Sequence, residues 1–517
     1  MTNVSPERAK PDHNKWLVAI VVSLATFMEV LDTTITNVSL RHIAGSLGAG
    51  QEESTWILTS YLVANAIILP LSGWLSEVLG RKRFFIICIL GFTAASFACG
   101  ASTSLLGLII FRIIQGAAGG GLQPTQQAII LDKFPASERG AVFAITGLTM
   151  IVAPIIGPTL GGLITDNIDW RWIFYINIPV GLLSAFFVWR MVDDPPHAQA
   201  KGFKKIDFIG LGLVSLGLAA LQIVLDKGQQ EDWFTSAFIQ NWGVISLMCL
   251  SIAAIWLWKK NEAIIDLSLL TKPSFALSCI LIFLVGFVLY SSSALLPLML
   301  QSEFGYDATL AGLILSPGGL AVVFLMPISG KLVGKVQAKY LICVGLALCC
   351  FGMAYSSLFT PQTDFDTFKW MRVAQVLGLP FLFIPISALA FADIPKEQSS
   401  KASALFALFR NVGGSVGIAI AAAHISHGQQ VHRHALSENL IPGNSVYEKM
   451  LSETQRIIPN MDGTMSHINR TLQQQANLLA YADTFQMMAI LLAIALVAAL
   501  ILLPANKPGQ GPASSGH

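Results

Sequence analysis

Residues 16–38 read WLVAIVVSLATFMEVLDTTITNV, and this stretch decides the class of fold. The segment is long enough to cross a bilayer as a helix, which takes about 20 residues. Glu29 and Asp32 interrupt the apolar run three residues apart, so they share one face of that helix. A carboxylate within the membrane costs about 2.5–3.5 kcal/mol to insert and usually faces a cavity or a partner charge. The stretch indicates a protonatable site in a membrane path; the alternative is that Asp32 lies in the headgroup region.

The composition extends the membrane assignment to the whole chain. Of the 517 residues, 54% are hydrophobic and 12% are charged, whereas a soluble chain carries roughly 25% charged residues. The net charge is +2, and no basic tract is interleaved with aromatic residues, which argues against nucleic acid as a partner. We therefore predict a polytopic membrane protein rather than a chain with one anchor.

Apolar runs of spanning length predict fourteen transmembrane helices, so the expected fold class is all-α. Numbered from helix 1 to helix 14, their expected ranges are 16–38, 54–75, 84–103, 105–131, 140–165, 171–192, 207–226, 238–258, 274–301, 308–330, 339–359, 367–392, 400–427 and 484–504. The polar segment 428–483 follows helix 13, and its apolar spacing indicates short amphipathic helices; a loosely ordered loop is the alternative.

The distribution of Lys and Arg predicts the orientation. With the N-terminus in the cytoplasm, the inner segments hold 21 of the 32 Lys and Arg, the outer loops hold 8, and three arginines lie inside helices. Positive charge collects on the cytoplasmic side of membrane proteins. We therefore expect both termini in the cytoplasm.

An internal repeat divides the chain into two halves. Two motifs recur at nearly one offset: Pro70–Leu75 as Pro327–Leu332, and Arg112-x-x-Gln115 as Arg372-x-x-Gln375. Repeated halves around a midplane site are typical of transporters, although a channel or a membrane enzyme can also be duplicated. The expected parts are a tail (1–15), an N-terminal six-helix half (16–192), a linker with two extra helices (193–273), a C-terminal six-helix half (274–504) with an outer loop at 428–483, and a second tail (505–517).

The loop after helix 2 carries a patterned motif made of Gly73, Glu77, Gly80, Arg81, Lys82 and Arg83. Glycine permits a sharp turn and close packing. An acid here can cap the N-terminus of a neighbouring helix, where the helix dipole favours negative charge. A basic loop that merely follows the inside-positive rule is the alternative interpretation.

Helices 4 and 5 carry two further motifs. Arg112 and Gln115 lie in helix 4, and an arginine within a span needs a carboxylate or backbone carbonyls, unless it snorkels to the interface. Helix 5 has two prolines that bend it and small residues that let a neighbouring helix approach. These residues are Pro154, Gly157, Pro158, Gly161 and Gly162. The alternative for helix 5 is a generic glycine-rich packing helix.

Together these motifs resemble the signatures of the major facilitator superfamily. The loop motif matches, with Glu77 where the family usually has Asp, and the helix 5 motif resembles the antiporter motif of its drug:proton exporters. With fourteen helices, the chain is similar to the fourteen-helix drug:proton antiporter branch and to its EmrB type. The resemblance runs over nearly the whole chain.

The resemblance implies proton-coupled efflux of drugs or other amphipathic compounds by alternating access. It places helices 1 and 4 around the N-terminal half, so Arg112 becomes the natural partner of Asp32 or Glu29. The expected site for protons and cargo then comprises Glu29, Asp32, Asn37, Arg112 and Gln115. No P-loop occurs, so we expect the proton gradient as the driving force and neither a cofactor nor a metal.

The resemblance also implies a location and partners. It places the protein in a bacterial inner membrane, in contact with lipid and small-molecule cargo. A periplasmic adaptor of the EmrA type and an outer-membrane channel of the TolC type are expected around the loop after helix 13. One alternative is an exporter of an endogenous metabolite such as a siderophore or a fatty acid. The other is a non-transporting scaffold; an enzyme is disfavoured because no nucleophile–base or metal constellation appears.

Overall fold

The computed structural model describes residues 14–195, 207–259, 265–438, 440–441, 443–458 and 460–503. All of the predicted tail 505–517, most of the tail 1–15 and part of the linker that begins at residue 193 lie outside these described residues. Within them, fourteen helices are long and apolar enough to cross a membrane. The predicted all-α, fourteen-helix class is therefore confirmed.

The fourteen membrane helices keep the numbers given above. Their bounds are Lys15–Leu40, Trp56–Leu79, Arg81–Gly100, Leu105–Lys133, Arg139–Asn167, Trp172–Met191, Phe208–Lys227, Ala237–Lys259, Pro273–Glu303, Thr309–Val333, Ala338–Ser356, Phe365–Ala390, Lys396–Ser437 and Met461–Leu502. Helix 1 continues without a break to Leu47. We call the membrane face that carries residues 80–83, 134–138 and 391–398 the Arg81 face, and the other the far face.

Helices 1–6 and helices 9–14 form two bundles that meet along two seams. Helix 5 packs against helix 10, and helix 2 packs against helix 13. At the Arg81 face the seams are tight: a Cβ on Gly140 would lie 2.8 Å from the carbonyl oxygen of Gly330. Nearby, Nη1 of Arg139 donates a hydrogen bond of 2.5 Å to the carbonyl oxygen of Phe391. The two halves are therefore in direct contact at the Arg81 face.

Glycines in helix 4 bring helix 2 close to it. A Cβ on Gly116 would lie 3.0 Å from the carbonyl carbon of Tyr61, and one on Gly120 would lie 2.7 Å from the carbonyl oxygen of Asn65. Since these distances are too short for a side chain, glycine is required at both positions. The close approach aligns polar side chains of helix 2 with those of helices 1 and 4.

Helices 13 and 14 are much longer than a membrane crossing. Each has 42 residues, which at 1.5 Å per residue is about 63 Å, roughly twice the hydrocarbon thickness. The segment 428–483 is therefore mostly helix: helix 13 continues to Ser437, helix 14 begins at Met461, and a separate amphipathic helix occupies Ser445–Ile457. Of the short amphipathic helices predicted there, one is present as a separate helix. The rest of the segment continues helices 13 and 14 past their expected ranges, because polar residues extend the helices where the apolar runs stop.

Candidate functional site

Asp32 and Arg112 form an ion pair inside the N-terminal half. Nη1 of Arg112 lies 2.6 Å from Oδ2 of Asp32, and both side chains are fully buried. The partners come from helices 1 and 4, as expected from the superfamily's arrangement. Asp32 therefore does not lie among the headgroups, and Arg112 does not snorkel to an interface.

Two amides complete the shell around the other oxygen of Asp32. Oδ1 accepts a hydrogen bond of 3.0 Å from Nε2 of Gln115 and one of 2.7 Å from Nδ2 of Asn177. Gln115 also accepts from Arg112 at 2.9 Å, and Asn177 donates to Ser96 at 3.0 Å. The Asp32 side chain is therefore held by Arg112 on one oxygen and by two amides on the other.

The guanidinium of Arg112 is held by groups other than the carboxylate as well. Its Nε donates to the carbonyl oxygen of Ile57 at 3.2 Å, and its Cζ lies 4.1 Å from the centre of the Tyr61 ring. A cation over an aromatic face is attracted by the ring quadrupole. Arg112 is thereby fixed by helices 1, 2 and 4 at once.

Glu29 has a different environment from Asp32. Nδ2 of Asn65 donates to its Oε1 at 3.1 Å, and the side chain lines a cavity of about 120 Å³ between the two halves. Helices 1 and 2 contribute Glu29 and Asn65 to the lining, and helix 4 contributes Gln123. The carboxylate at position 29 therefore faces the inter-half cavity, whereas that at position 32 is enclosed within one half.

The C-terminal half places a cation opposite Glu29. Arg410 of helix 13 is buried, its Nη2 donates to Oε1 of Gln123, and Tyr290 of helix 9 lines the cavity beside it. The hydrogen bond crosses from one half to the other. Glu29, Gln123 and Arg410 thus form a polar bridge at the cavity.

The predicted site residues are brought together in part. Asp32, Arg112 and Gln115 form one network, and Glu29 lies one helical turn away at the cavity. Asn37 does not join them: its side chain is exposed on helix 1. Its position five residues after Asp32 turns it to another side of the helix.

Several residues that contact the predicted site were not among the site residues predicted from the sequence. Asn177 is 145 residues from Asp32, and Asn65 is 36 residues from Glu29, so no local spacing links the partners. The available signal was a polar side chain within an apolar span, which applies to Asn65, Gln123 and Arg410 alike. Such residues usually face the interior of a membrane bundle.

The repeat in the C-terminal half keeps the arginine and loses the acid. Arg372 is fully buried and donates to Oε1 of Gln375 at 3.0 Å, as Arg112 does to Gln115. Its other partners are the hydroxyls of Ser292 at 3.3 Å and Ser293 at 2.9 Å. Among the residues that the structure describes, it forms no ion pair and its Nε has no hydrogen-bond partner. The two halves therefore differ in charge at equivalent positions.

The small residues of the helix 5 motif pack against helix 1. A Cβ on Gly157 would lie 2.7 Å from Cβ of Thr34, and one on Gly161 would lie 3.2 Å from the carbonyl oxygen of Ile35. Gly162, Pro154 and Pro158 are buried in the same continuous helix. The neighbour that the small residues admit is thus the segment of helix 1 directly after Asp32.

The loop motif connects the two halves at the Arg81 face. A Cβ on Gly73 would lie 3.1 Å from Cα of Lys401, and Glu77 Oε1 lies 3.9 Å from Nζ of the same lysine. Lys401 is near the start of helix 13, so the acid sits at a helix N-terminus, as expected. Gly80 has a φ of 84°, which favours glycine at the turn.

The first basic residue of the motif reaches both halves. Arg81 is buried and pairs with Asp132 of helix 4. Its Nη2 also donates to Oγ of Ser400 at 2.8 Å and to Oγ of Ser399 at 3.3 Å, at the start of helix 13. Arg81 therefore links the N-terminal half to the C-terminal half.

The other two basic residues have local roles. The backbone N–H of Lys82 donates to Oδ1 of Asp194 at 2.8 Å, and Arg83 is exposed. Burial raises the pKa of Asp194 above its usual value, against the opposing effects of that hydrogen bond and of the charges on Arg81 and Lys82. Lys82 thus ties helix 3 to the segment that leaves helix 6.

Known proteins are similar in sequence to this chain over most of its length. The Major Facilitator Superfamily model matches residues 22–418. "Multidrug export protein EmrB" of Escherichia coli (strain K12) is 34% identical over 476 residues, covering 92% of each chain. "Fatty acid resistance protein FarB" of Neisseria gonorrhoeae is 34% identical over 499 residues, covering 96% of this chain and 97% of the relative.

Solved structures show the same fold at low sequence identity. A double-tryptophan mutant of XylE superposes with a TM-score of 0.59 at 13% identity, covering 95% of this chain and 96% of that one. A bacterial homologue of the lysosomal transporter Spinster, in an inward-facing conformation, gives 0.56 at 15% identity, covering 98% and 100%. The resemblance seen in the sequence motifs is confirmed. The chain is a multi-pass membrane protein that belongs to the major facilitator superfamily, a family of transporters rather than enzymes.

Proposed function

We propose that this protein exports drugs and other amphipathic small molecules in exchange for protons, by alternating access of its two halves. The observation that carries the proposal is the buried Asp32–Arg112 ion pair beside a cavity between the halves. Ionisable residues within membrane helices mark ion and substrate paths. One of the two relatives is named for multidrug export, which supports drugs as cargo.

Asp32 acts as the proton-coupling carboxylate in this mechanism. A proton on Asp32 removes the charge that Arg112, Gln115 and Asn177 bind, so the network must rearrange. Helix 1 carries Asp32 and packs on helix 5, which in turn forms a seam with helix 10 of the other half. A change at Asp32 thereby reaches the interface that has to move.

Glu29 acts as the cargo-facing carboxylate. It lines the cavity, whereas Asp32 does not, and Arg410 of the other half is bound through Gln123 on the same cavity wall. A cationic group of the cargo pairs with Glu29, and an anionic group pairs with Arg410. The two carboxylates were predicted as one site, but in this proposal they have separate roles. Asp32 couples protons, and Glu29 binds cargo.

The proton gradient supplies the energy in this proposal, without a cofactor. One charge moving through about 100 mV releases about 2.3 kcal/mol, which supports a roughly 50-fold cargo gradient from the potential alone. The protein lies in a bacterial inner membrane with both termini in the cytoplasm, so the Arg81 face is cytoplasmic. The excess of Lys and Arg on that side supports this orientation.

A periplasmic adaptor with an outer-membrane channel forms part of the proposal. Helices 13 and 14 extend about 30 Å past a bilayer of normal thickness, together with the helix Ser445–Ile457. This projection on the far face supports docking of an adaptor of the EmrA type there, with a channel of the TolC type beyond it.

Fatty acids are the second candidate cargo. The relative named for fatty acid resistance is as similar in sequence as the multidrug relative. The buried midplane also holds three arginines, Arg112, Arg372 and Arg410, against the two carboxylates Glu29 and Asp32. This balance favours a carboxylate on the cargo.

The test is proton-driven transport in inverted membrane vesicles, with tetraphenylphosphonium, dodecanoate and a neutral lipophilic drug as probes. The wild type should accumulate at least one probe when a proton gradient is imposed. Asp32→Asn should abolish accumulation of every probe, and Glu29→Gln should change the preference between the cation and the acid. Asp366→Asn, an exposed carboxylate on the far face, is the matched control. Full gradient-driven accumulation by Asp32→Asn would refute the proposal.

A further inference from the structure

The inserted helix pair, helices 7 and 8, contributes to the inter-half cavity. Gln222 of helix 7 is buried and lines the cavity together with Glu29 and Asn65. Its Oε1 accepts a hydrogen bond of 3.0 Å from Oγ of Ser415 in helix 13. An element outside both six-helix halves therefore closes one side of the cavity.

Helix 7 is fastened to helix 2 of the N-terminal half at its far-face end. Asp226 accepts a hydrogen bond from Oγ1 of Thr59, and Lys227 donates to Oγ1 of Thr55. Nζ of Lys227 also lies 4.9 Å from the ring centre of Trp56. Two neighbouring charged residues of helix 7 are thus bound by three residues at the start of helix 2.

Among the residues that the structure describes, helix 8 has no comparable pair of charged attachments to either half. It packs chiefly on helix 7, where Oγ of Ser246 donates to the carbonyl oxygen of Gly217 at 3.1 Å. Its opposite side presents exposed apolar residues, among them Leu247 and Ile255. The hairpin is therefore positioned by the contacts that helix 7 makes with helices 2 and 13.

The contacts of helix 7 with helix 2 and with helix 13 cannot both persist during alternating access. Helix 2 belongs to the N-terminal half and helix 13 to the C-terminal half, and the halves move against each other when the cavity opens. Helix 7 holds helix 2 through two charged residues, whereas the polar link to helix 13 seen among the described residues is the neutral bond between Gln222 and Ser415. A neutral hydrogen bond is about half as strong as a charge-assisted one.

We propose that the helix 7–8 hairpin is a wall of the cargo cavity that moves with helix 2 and separates from helix 13 at the Gln222–Ser415 hydrogen bond. When this seam parts, Oε1 of Gln222 loses its donor within the cavity. An amphipathic cargo that carries an amine, amide or hydroxyl donor takes the place of Ser415. Gln222 is then a specificity-determining residue, an assignment that rests on the transport function proposed above.

The test compares two cysteine pairs in a background without the seven native cysteines. Gln222→Cys with Ser415→Cys tethers helix 7 to helix 13, and Thr59→Cys with Asp226→Cys tethers it to helix 2. Each protein is assayed before and after a bifunctional methanethiosulfonate reagent, and again after reduction. The readout is the proton-driven accumulation of one probe, either tetraphenylphosphonium or dodecanoate, whichever the protein transports faster.

We expect the helix 7–13 tether to lower the initial rate at least tenfold, with recovery on reduction, and the helix 7–2 tether to leave it within twofold. Failure of the first pair to cross-link, or unchanged transport once it is tethered, overturns the proposal, as does a block by the second tether. If Asp226→Cys alone lowers the rate, Thr55→Cys with Lys227→Cys replaces that pair. The transport rates measured before cross-linking test the proposed transport function itself, independently of the proposal about the hairpin.

A second measurement addresses specificity. Gln222→Leu should change the ratio of accumulation between a cargo with a hydrogen-bond donor, such as ethidium, and one without, such as tetraphenylphosphonium, by at least fivefold. Ser246→Ala removes a polar contact within the hairpin that does not line the cavity, so it should leave the ratio unchanged. An unchanged ratio in Gln222→Leu would remove Gln222 from the cargo site.

Discussion

The residue that distinguishes the two halves is the partner of the buried arginine. In the N-terminal half Arg112 meets Asp32, and in the C-terminal half Arg372 meets Ser292. The serine stands 260 positions after the aspartate, the same offset that separates the arginines. An arginine buried without a counter-charge is costly, so the second site carries an uncompensated charge.

Replacing Ser292 by Asp supplies the missing counter-charge. We expect Ser292→Asp to stabilise the fold by about 3 kcal/mol, the cost usually found when one partner of a buried ion pair is absent. Thermal unfolding in detergent, compared with wild type and with Ser291→Asp on the same helix, measures the effect. A lower melting temperature for Ser292→Asp would show that Arg372 is already compensated.

Asp194 at the Arg81 face leads to a prediction of how the stability of the fold depends on pH. Because burial raises its pKa, the folded state binds this proton more readily than the unfolded state does. Stability therefore falls as the pH rises from about 4 through the raised pKa, and the deficit is complete once the pH exceeds that raised pKa. Asp194→Asn keeps an acceptor for the Lys82 N–H and should melt above wild type at pH 7, with the difference vanishing near pH 4. A lower melting point at pH 7 would mean that Arg81 and Lys82 outweigh burial.

At this scale the sequence predicted the central pair but not its surroundings. Two acids and an arginine within apolar spans are conspicuous, so the Asp32–Arg112 pairing could be expected. Asn177 and Arg410 could not be assigned, since their partners lie far along the chain and depend on how helices are oriented. Asn37 was grouped with Asp32 on polarity, which does not give the face of a helix, and the structure places its side chain apart from the pair.

Among the elements, helix 5 depends most directly on its glycines. A Cβ at Gly157 collides with Thr34, so Gly157→Ala should destabilise the fold by about 1–3 kcal/mol and reduce transport. Gly212→Ala on helix 7 meets nothing within 4 Å and serves as the matched control. The double variant Gly157→Ala/Thr34→Gly should recover most of the loss in melting temperature. If Gly157→Ala had the stability and transport of wild type, the helix 5 motif would not act through its packing on helix 1.

The existence of each element was predictable, and its length was not always so. A run of about 20 apolar residues identifies a membrane helix, and all fourteen appear in the structure. Helices 13 and 14 exceed their predicted ranges because hydropathy marks only the part within lipid. Outside lipid, both helices continue through Gly428 and Gly463, in stretches where residues such as Gln and Ala favour helix.

Across the whole molecule, the Arg81 face links the two halves. Arg81 pairs with Asp132 in its own half and donates to Ser399 and Ser400 in the other. Hydrogen bonds to a charged group contribute about 1.5–3 kcal/mol each, so their loss should favour opening at this face. The conformational balance thus depends on a residue far from the cavity.

We expect Arg81→Ala to increase maleimide labelling of a cysteine placed at Ser76, which is buried where the halves meet. The expected increase in labelling rate is about tenfold, which corresponds to about 1.4 kcal/mol. Arg83→Ala changes a neighbouring basic residue that is exposed, and should not alter labelling. Equal labelling in both variants would show that Arg81 does not hold the face closed.

The most direct test of the account is proton release on cargo binding by the purified protein in weakly buffered detergent with a pH indicator. With a probe that the vesicle assay identifies as cargo, wild type should release protons in proportion to the fraction bound, and Glu29→Gln should still release them. Asp32→Asn should bind the probe and release none. Proton release by Asp32→Asn at the wild-type level would contradict the assignment of Asp32 as the coupling residue, and with it the proposed mechanism.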